Sequence, residues 1–482
     1  MKYKLLIAEW IVIVAIMLGG IGYVVYRIDP FMHYHMPYTD KYFYVLDNQR
    51  SQNDGIVKHF DYDALITGSS MTENFKTSEM DAIFGVKSIK VPYSGGSYKE
   101  INDNLKNALS YNPNLKVIVR CLEMGRFFDR ADDMRNDLGT YPTYLYDNNP
   151  FNDVNYLYNR DIVWDRVYRM ILEKDRRKVE PGITSFDEYS RWQYDYEFGK
   201  NTVIPNGLNV NETEIETTDI QHLSEEERNI IKENVEMNIT SLADEYPHVQ
   251  FLYFFSPYSI AWWGHQVDSK LIYKQIEAEE YIIELILEHE NIKLYSFNNR
   301  TDIVMDLNNY KDVSHYGQWV NTLMLTWMHE GKYLLTKDNY QEYLEEEKSF
   351  YTSFDYSIVN EQVDYEADFY AAALLNREIT GKMPMNVIDG ETSEYEIKIN
   401  DIDGYDYLAF YATNLDDEHP LRVYDGNGTI LYEKTGLAED DGNTWHQFVV
   451  ELDGAQTRDV ILCNENKQQK NDESIFRDIQ LY

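Results

Sequence analysis

Apolar and polar positions change rhythm several times along the chain. From Leu5 to Tyr26 the residues are apolar with one charged interruption, Glu9. At about 1.5 Å of rise per residue, a helix over that run is about 33 Å long, enough to cross a bilayer. Beyond residue 60, short apolar runs alternate with amphipathic stretches. Strands are predicted near 63–67, 86–91, 116–122, 249–255 and 292–295. Helices are predicted from about 73, near 98–110, from Ser224-Glu225-Glu226-Glu227 (a capping box) to about 245, near 269–290, and near 317–328. This β-α-β-α-β rhythm signals a parallel sheet with helices on both faces. From about 384 the pattern shifts to short alternating runs: 394–399, 407–412, 421–424, 429–432, 447–452, 460–463 and 476–482. Turn residues such as Asp425-Gly426-Asn427-Gly428 separate them, as in a β-sandwich.

These rhythms divide the chain into an anchor over 1–27, an α/β domain over 28–337, a helical linker over 338–383 and a β-sandwich over 384–482. Residues 127–222 interrupt the α/β rhythm with polar, Tyr- and Asp-rich loops around one helical stretch, 155–174. That is the pattern of an insertion able to wall or cover a site. Lys2 and Lys4 favour an N-terminus in the cytoplasm, which puts the bulk of the chain outside the membrane; a cleaved signal peptide is the alternative. The segment after the apolar run holds His33 and His35, two apart, with no third ligand in view, so no metal is expected there.

Composition narrows the partners. The net charge is −39, which argues against nucleic acid and against docking on anionic lipid. The 42 tyrosines suit sugar rings and cores equally. The two cysteines, Cys121 and Cys463, fall in different predicted domains and read as free thiols.

The chemistry gathers at Asp63-Ala64-Leu65-Ile66-Thr67-Gly68-Ser69-Ser70-Met71-Thr72, a strand followed by a sharp turn into a helix. Such a turn leaves backbone N–H groups free to face a developing anion. A serine there needs a base and an orienting carboxylate. Asp312-Val313-Ser314-His315 offers both from one loop. In open α/β sheets ligands bind beyond the carboxyl ends of the strands. Ser70, Gly95 and Glu123 all fall at such ends, and Arg50–Gly55 precedes the first strand closely enough to be expected near them. Phe254-Phe255-Ser256-Pro257-Tyr258, with Trp262 and Trp263, ends a later strand and fits either sugar contact or core packing.

Ser70 early and Asp312/His315 late, in an α/β pattern over about 60–335, resemble the SGNH (GDSL-like) hydrolase superfamily. The resemblance implies a flavodoxin-like sheet, a Ser70–His315–Asp312 catalytic triad, and an oxyanion hole built from the N–H groups of Ser70 and of Gly95 or Gly96. The family's third block carries an asparagine donor. Here that position reads Cys121-Leu122-Glu123-Met124-Gly125-Arg126, which leaves Glu123, Arg126 and Tyr258 as expected substrate contacts. The anchor and the C-terminal β-sandwich make the whole similar to bacterial alginate O-acetyltransferases and to the SGNH-like partner of teichoic-acid D-alanylation. The sandwich itself resembles carbohydrate-binding modules. By that resemblance a membrane-bound O-acyltransferase supplies the acyl group and a cell-surface polysaccharide receives it, with no cofactor, at the bacterial cell envelope. A polysaccharide esterase with the same triad and a non-catalytic glycan-binding scaffold are the alternatives.

Overall fold

The computed structural model describes residues 2–147, 149–210, 220–362, 364, 371, 374–375, 385–392, 395–402, 405, 407–412, 420–434, 446–452, 454–464 and 476–481. The chain forms two compact units, Met1–Gln362 and Val363–Tyr482.

The first unit opens with a helix over Lys2–Ile28, whose span Tyr3–Ile28 is long and apolar enough to cross a membrane. A short strand β1 (Phe43–Tyr44) and a helix over Gln49–His59 follow. The core is a sheet of β2 (Ala64–Gly68), β3 (Ser88–Pro92), β4 (Val117–Leu122), β6 (Gln250–Phe255), β7 (Ile292–Ser296) and β8 (Leu334–Leu335); β5 (Gly182–Ile183) pairs only with β1. The sheet order is β3-β2-β4-β6-β7-β8, parallel throughout except for β8. β2, β3 and most of β4 and β6 are buried residue after residue, as expected of strands covered on both faces. The connections from β2 run outward to β3 and then back across to β4, so the crevice of this topology opens at the carboxyl end of β2.

The helices lie close to their predicted places: Tyr98–Tyr111, Glu225–Val235 continuing to Glu245, and Gln318–Glu330. The helix expected near 269–290 spans Ile272–Ile286, and a helix that the pattern did not announce, Ile260–Asp268, precedes it. Within the insertion the helical stretch is Val154–Leu157 and then residues 162–177, with wide π-type turns at both ends. Residues 148 and 211–219 of the insertion lie outside the described residues.

The expected linker divides at Gln362. Its helix over Tyr340–Ser353 packs into the first unit: Tyr351 stacks on buried Trp263 with ring centroids 3.9 Å apart, and buried Glu347 meets Glu279 and Tyr343. Trp263 thus serves packing rather than an open sugar face. Most of 363–384 lies outside the described residues.

Among its described residues the second unit has eight antiparallel strands in two sheets. One is β10 (Glu396–Ile399), β15 (Val460–Asn464), β12 (Leu421–Asp425) and β13 (Ile430–Lys434); the other is β14 (His446–Glu451), β11 (Tyr407–Ala412), β16 (Phe476–Leu481) and β9 (Met385–Thr392), each in that order. β9 is one strand more than the sequence pattern announced. Residues from both sheets, among them Ile397, Val423 and Leu462 from one and Phe410, Phe448 and Phe476 from the other, share one apolar core.

Candidate active site

The turn after β2 places Ser70. Gly68, the last residue of β2, has φ +151°, and a Cβ there would stand 2.7 Å from Thr72 Cγ2 and 2.9 Å from Cys121 Cβ. Only glycine fits, and the chain then swings into a short 3-10 turn over Ser70–Thr72 with Ser69 as its cap. No acceptor among the described residues takes the Ser70 N–H.

The loop after β7 places the other two groups. Tyr310 bridges Tyr316, the Lys311 N–H donates to the His315 carbonyl (3.0 Å), and the Gly317 N–H donates to Asn309 (2.8 Å). Ser259 fixes the loop tip by donating from both N and Oγ to the Val313 carbonyl. Inside this hairpin the Asp312 carboxylate accepts the backbone N–H of Ser314 (3.0 Å) and of His315 (2.8 Å). His315 Nδ1 lies 2.9 Å from both Asp312 oxygens, and His315 Nε2 lies 2.8 Å from Ser70 Oγ. With Nδ1 donating to Asp312, Nε2 is left to accept the serine proton. Burial raises the Asp312 carboxyl, but the His315 hydrogen bonds and charge outweigh it and hold it well below the usual carboxylate range.

Ser70 and His315 line a cleft of about 710 Å³, with Leu46, Glu73, Gly95, Trp192 and Lys311 among its walls. Gly95 adopts φ +58°. Its carbonyl accepts from Arg135 Nη1 (2.6 Å) and Arg126 Nη2 (3.3 Å), which pins the loop while its N–H has no acceptor among the described residues. Gly96 differs: its N–H donates to the Tyr93 carbonyl at 2.7 Å and is therefore committed. Of the two glycine N–H groups expected as oxyanion donors, that of Gly96 is taken by this bond and that of Gly95 is open.

The expected substrate contacts sit apart from the cleft lining. Arg126 engages Asp129 and Gly95. Glu123 and Tyr258 form their own pair, Tyr258 OH to Glu123 Oε1 at 3.5 Å; burial, and then the Glu123 charge, push the Tyr258 phenol far up. Arg50 reaches the Ser94 carbonyl (3.3 Å) and the buried Glu100 (3.1 Å), so the helix before β2 does approach the loop.

Several neighbours were not legible in the sequence. Trp192, from the insertion, donates from Nε1 to the Ser70 carbonyl (3.3 Å) and stands edge-on to His315 with centroids 5.7 Å apart. Asn74, inside the serine block, accepts the Trp192 N–H (3.0 Å) and so fixes that wall. Lys311 lies over Tyr196 (3.8 Å) and Trp192 (4.5 Å) and 3.7 Å from Asp312 Oδ2. Gln49 joins Glu73 to the Ser94 N–H. Below the turn, fully buried Lys90 donates to the Glu73 and Phe75 carbonyls, and burial pulls its ammonium down to about 7. A one-dimensional pattern carries no signal for these, because apart from the Lys311–Asp312 neighbours the partners lie far off in sequence.

No family model matches the sequence, and no curated protein matches it. Among solved structures, one from Streptococcus pneumonia, described as "a putative platelet activating factor", is similar over 61% of this chain and 91% of its own, at 12% identity and a TM-score of 0.28.

Proposed function

We propose that the protein is a membrane-anchored serine acyltransferase of the SGNH type, with a flavodoxin-like catalytic domain, that moves an acyl group, acetyl by preference, to a hydroxyl of a cell-surface polysaccharide. The observation that carries the reading is the unbroken relay from Ser70 Oγ through His315 to Asp312, beside an unclaimed Ser70 N–H. Ser70 Oγ attacks the donor's acyl carbon while His315 Nε2 takes its proton, and Asp312 stabilises the imidazolium. The N–H groups of Ser70 and Gly95 hold the oxyanion. His315 returns the proton to the departing donor oxygen, leaving acyl-Ser70. An acceptor hydroxyl then gives its proton to His315 and attacks the acyl carbon; the bond to Ser70 Oγ breaks, and His315 returns the proton to Ser70 Oγ. In this reading the first helix spans the membrane with the catalytic unit outside the cytoplasm, a membrane-bound O-acyltransferase supplies the donor, and the C-terminal sandwich acts as a carbohydrate-binding module.

The cleft is open to solvent, and Ser70 is half-buried. That observation favours, as a second reading, water as the acceptor and therefore an esterase. The test is to incubate the protein with p-nitrophenyl acetate, with and without polysaccharide. An acetyl mass on Ser70, absent in Ser70→Ala, is expected, with acetate then appearing on the polymer. Free acetate regardless of polymer marks the esterase. No adduct and no turnover would sink both.

A further inference from the structure

The insertion carries an apolar face that the catalytic chemistry does not use. In the helical stretch 162–177, Val163, Trp164, Val167, Tyr168 and Ile171 recur at the spacing of a single helix face. That face meets Met17, Gly20, Ile21, Val24 and Val25 of the first helix across a groove of about 430 Å³. Trp164 is 58% exposed and Tyr168 46%, and Phe151 in the approach is 88% exposed. The opposite face is turned to the domain: Ile162 and Met170 are buried there, Arg166 pairs with Asp47, and Arg169 and Glu173 lie beside Tyr44 and Val45. On a soluble surface such an apolar face would be a liability. Here it continues directly from a helix apolar enough to cross a membrane.

Depth decides what covers it. Met17 to Val25 spans about 12 Å of helix and forms the C-terminal part of the apolar run. Whatever surrounds the first helix at that level also surrounds the groove. Tyr158 strengthens the placement, since its OH would stand 3.0 Å from a Cβ on Gly22. Charge agrees. The charge of −39 that disfavours an anionic lipid surface belongs to the chain as a whole; this segment is locally basic, with Lys174, Arg176, Arg177 and Lys178 exposed and close behind the face, suited to the phosphates of lipid headgroups.

We infer that residues 151–178 form a second, non-spanning membrane contact, and that phospholipid acyl chains of the leaflet on the catalytic unit's side fill the groove beside the first helix. The inference rests on the anchor reading above. It makes the insertion a foot that stands in the membrane, with Trp164 and Tyr168 at interfacial depth.

The test uses the full chain in lipid nanodiscs whose acyl chains carry bromine, a contact quencher of tryptophan fluorescence. Trp10 reports the first helix and Trp164 the foot. Trp10→Phe and Trp164→Phe should each remove part of the lipid-quenched emission, and the double variant nearly all of it. If Trp164→Phe changes nothing while Trp10→Phe removes it all, the foot is refuted and the anchor stands. If bromine quenches neither, the anchor fails and the foot with it. If Trp164 is shielded from bromine and from aqueous iodide, with two chains per nanodisc, a second copy covers the face and the inference falls.

Discussion

Ser70, His315 and Asp312 meet from segments more than two hundred residues apart, at separations of 2.8 and 2.9 Å. If they act as one unit, their losses will not add. Ser70→Ala should abolish the acyl-enzyme seen by intact mass. His315→Ala should lower turnover about a million-fold, and Asp312→Ala should cost less, about ten-thousand-fold, because the imidazole stays. The Asp312→Ala/His315→Ala double variant should match His315→Ala alone; a further large drop would contradict the relay. These three residues were legible because local chemistry marks them: a strand ending in a glycine turn, and a carboxylate three residues ahead of a histidine that its own backbone N–H groups hold in place. Trp192 and Gln49 were not, since nothing local distinguishes a tryptophan that reaches the Ser70 carbonyl from one that fills a core. The Gly95 and Gly96 pair shows the same limit at one peptide bond. Sequence offers two donors, and only backbone hydrogen bonding shows that one is taken.

Elements built on buried periodicity appeared where the pattern put them, because β2, β3 and β4 cannot hide continuous apolar runs in any other layer. The helix over Tyr340–Ser353 looked like a linker because its surface is charged and its partners lie some sixty residues upstream. What docks it is polar as well as apolar. Tyr343 OH donates to Glu279 (2.8 Å) and also contacts Glu347, and both carboxyls are fully buried. Burial lifts both, and the charge of Glu347 adds to the effect on Glu279; Glu347 is pushed up to about 7. An unfolded glutamate titrates near about 4.3. The unfolded chain therefore releases its proton first, so this contribution to stability is complete below that pH and is lost as pH rises through about 7. Glu347→Gln keeps the shape without the charge. Its melting temperature relative to the unaltered protein should rise between pH 5 and pH 8; a constant offset would mean the pair is not protonated.

As a whole molecule the chain has two units, and the second owns a core drawn from both of its sheets. Residues 363–482 alone should melt cooperatively by circular dichroism, and a disordered spectrum would show that this core needs the first unit. The alternation of apolar residues made this fold legible; the extra strand β9 was not, because its run Met385–Thr392 mixes Asn, Asp, Gly and Glu with its apolar residues.

The exit from the first helix bears on what such an enzyme reaches. Asp29 accepts the backbone N–H groups of His33, Tyr34 and His35 and the phenol of Tyr156 from the insertion. That knot leaves no loose leash between anchor and cleft. An enzyme on a leash samples a hemisphere; one clamped to its anchor patrols a sheet of constant altitude as it drifts in the membrane. If the protein is the anchored acyltransferase proposed above, altitude chooses the acceptor: hydroxyls on a long polymer are modified where the strand crosses that level, and identical units above or below it are passed over.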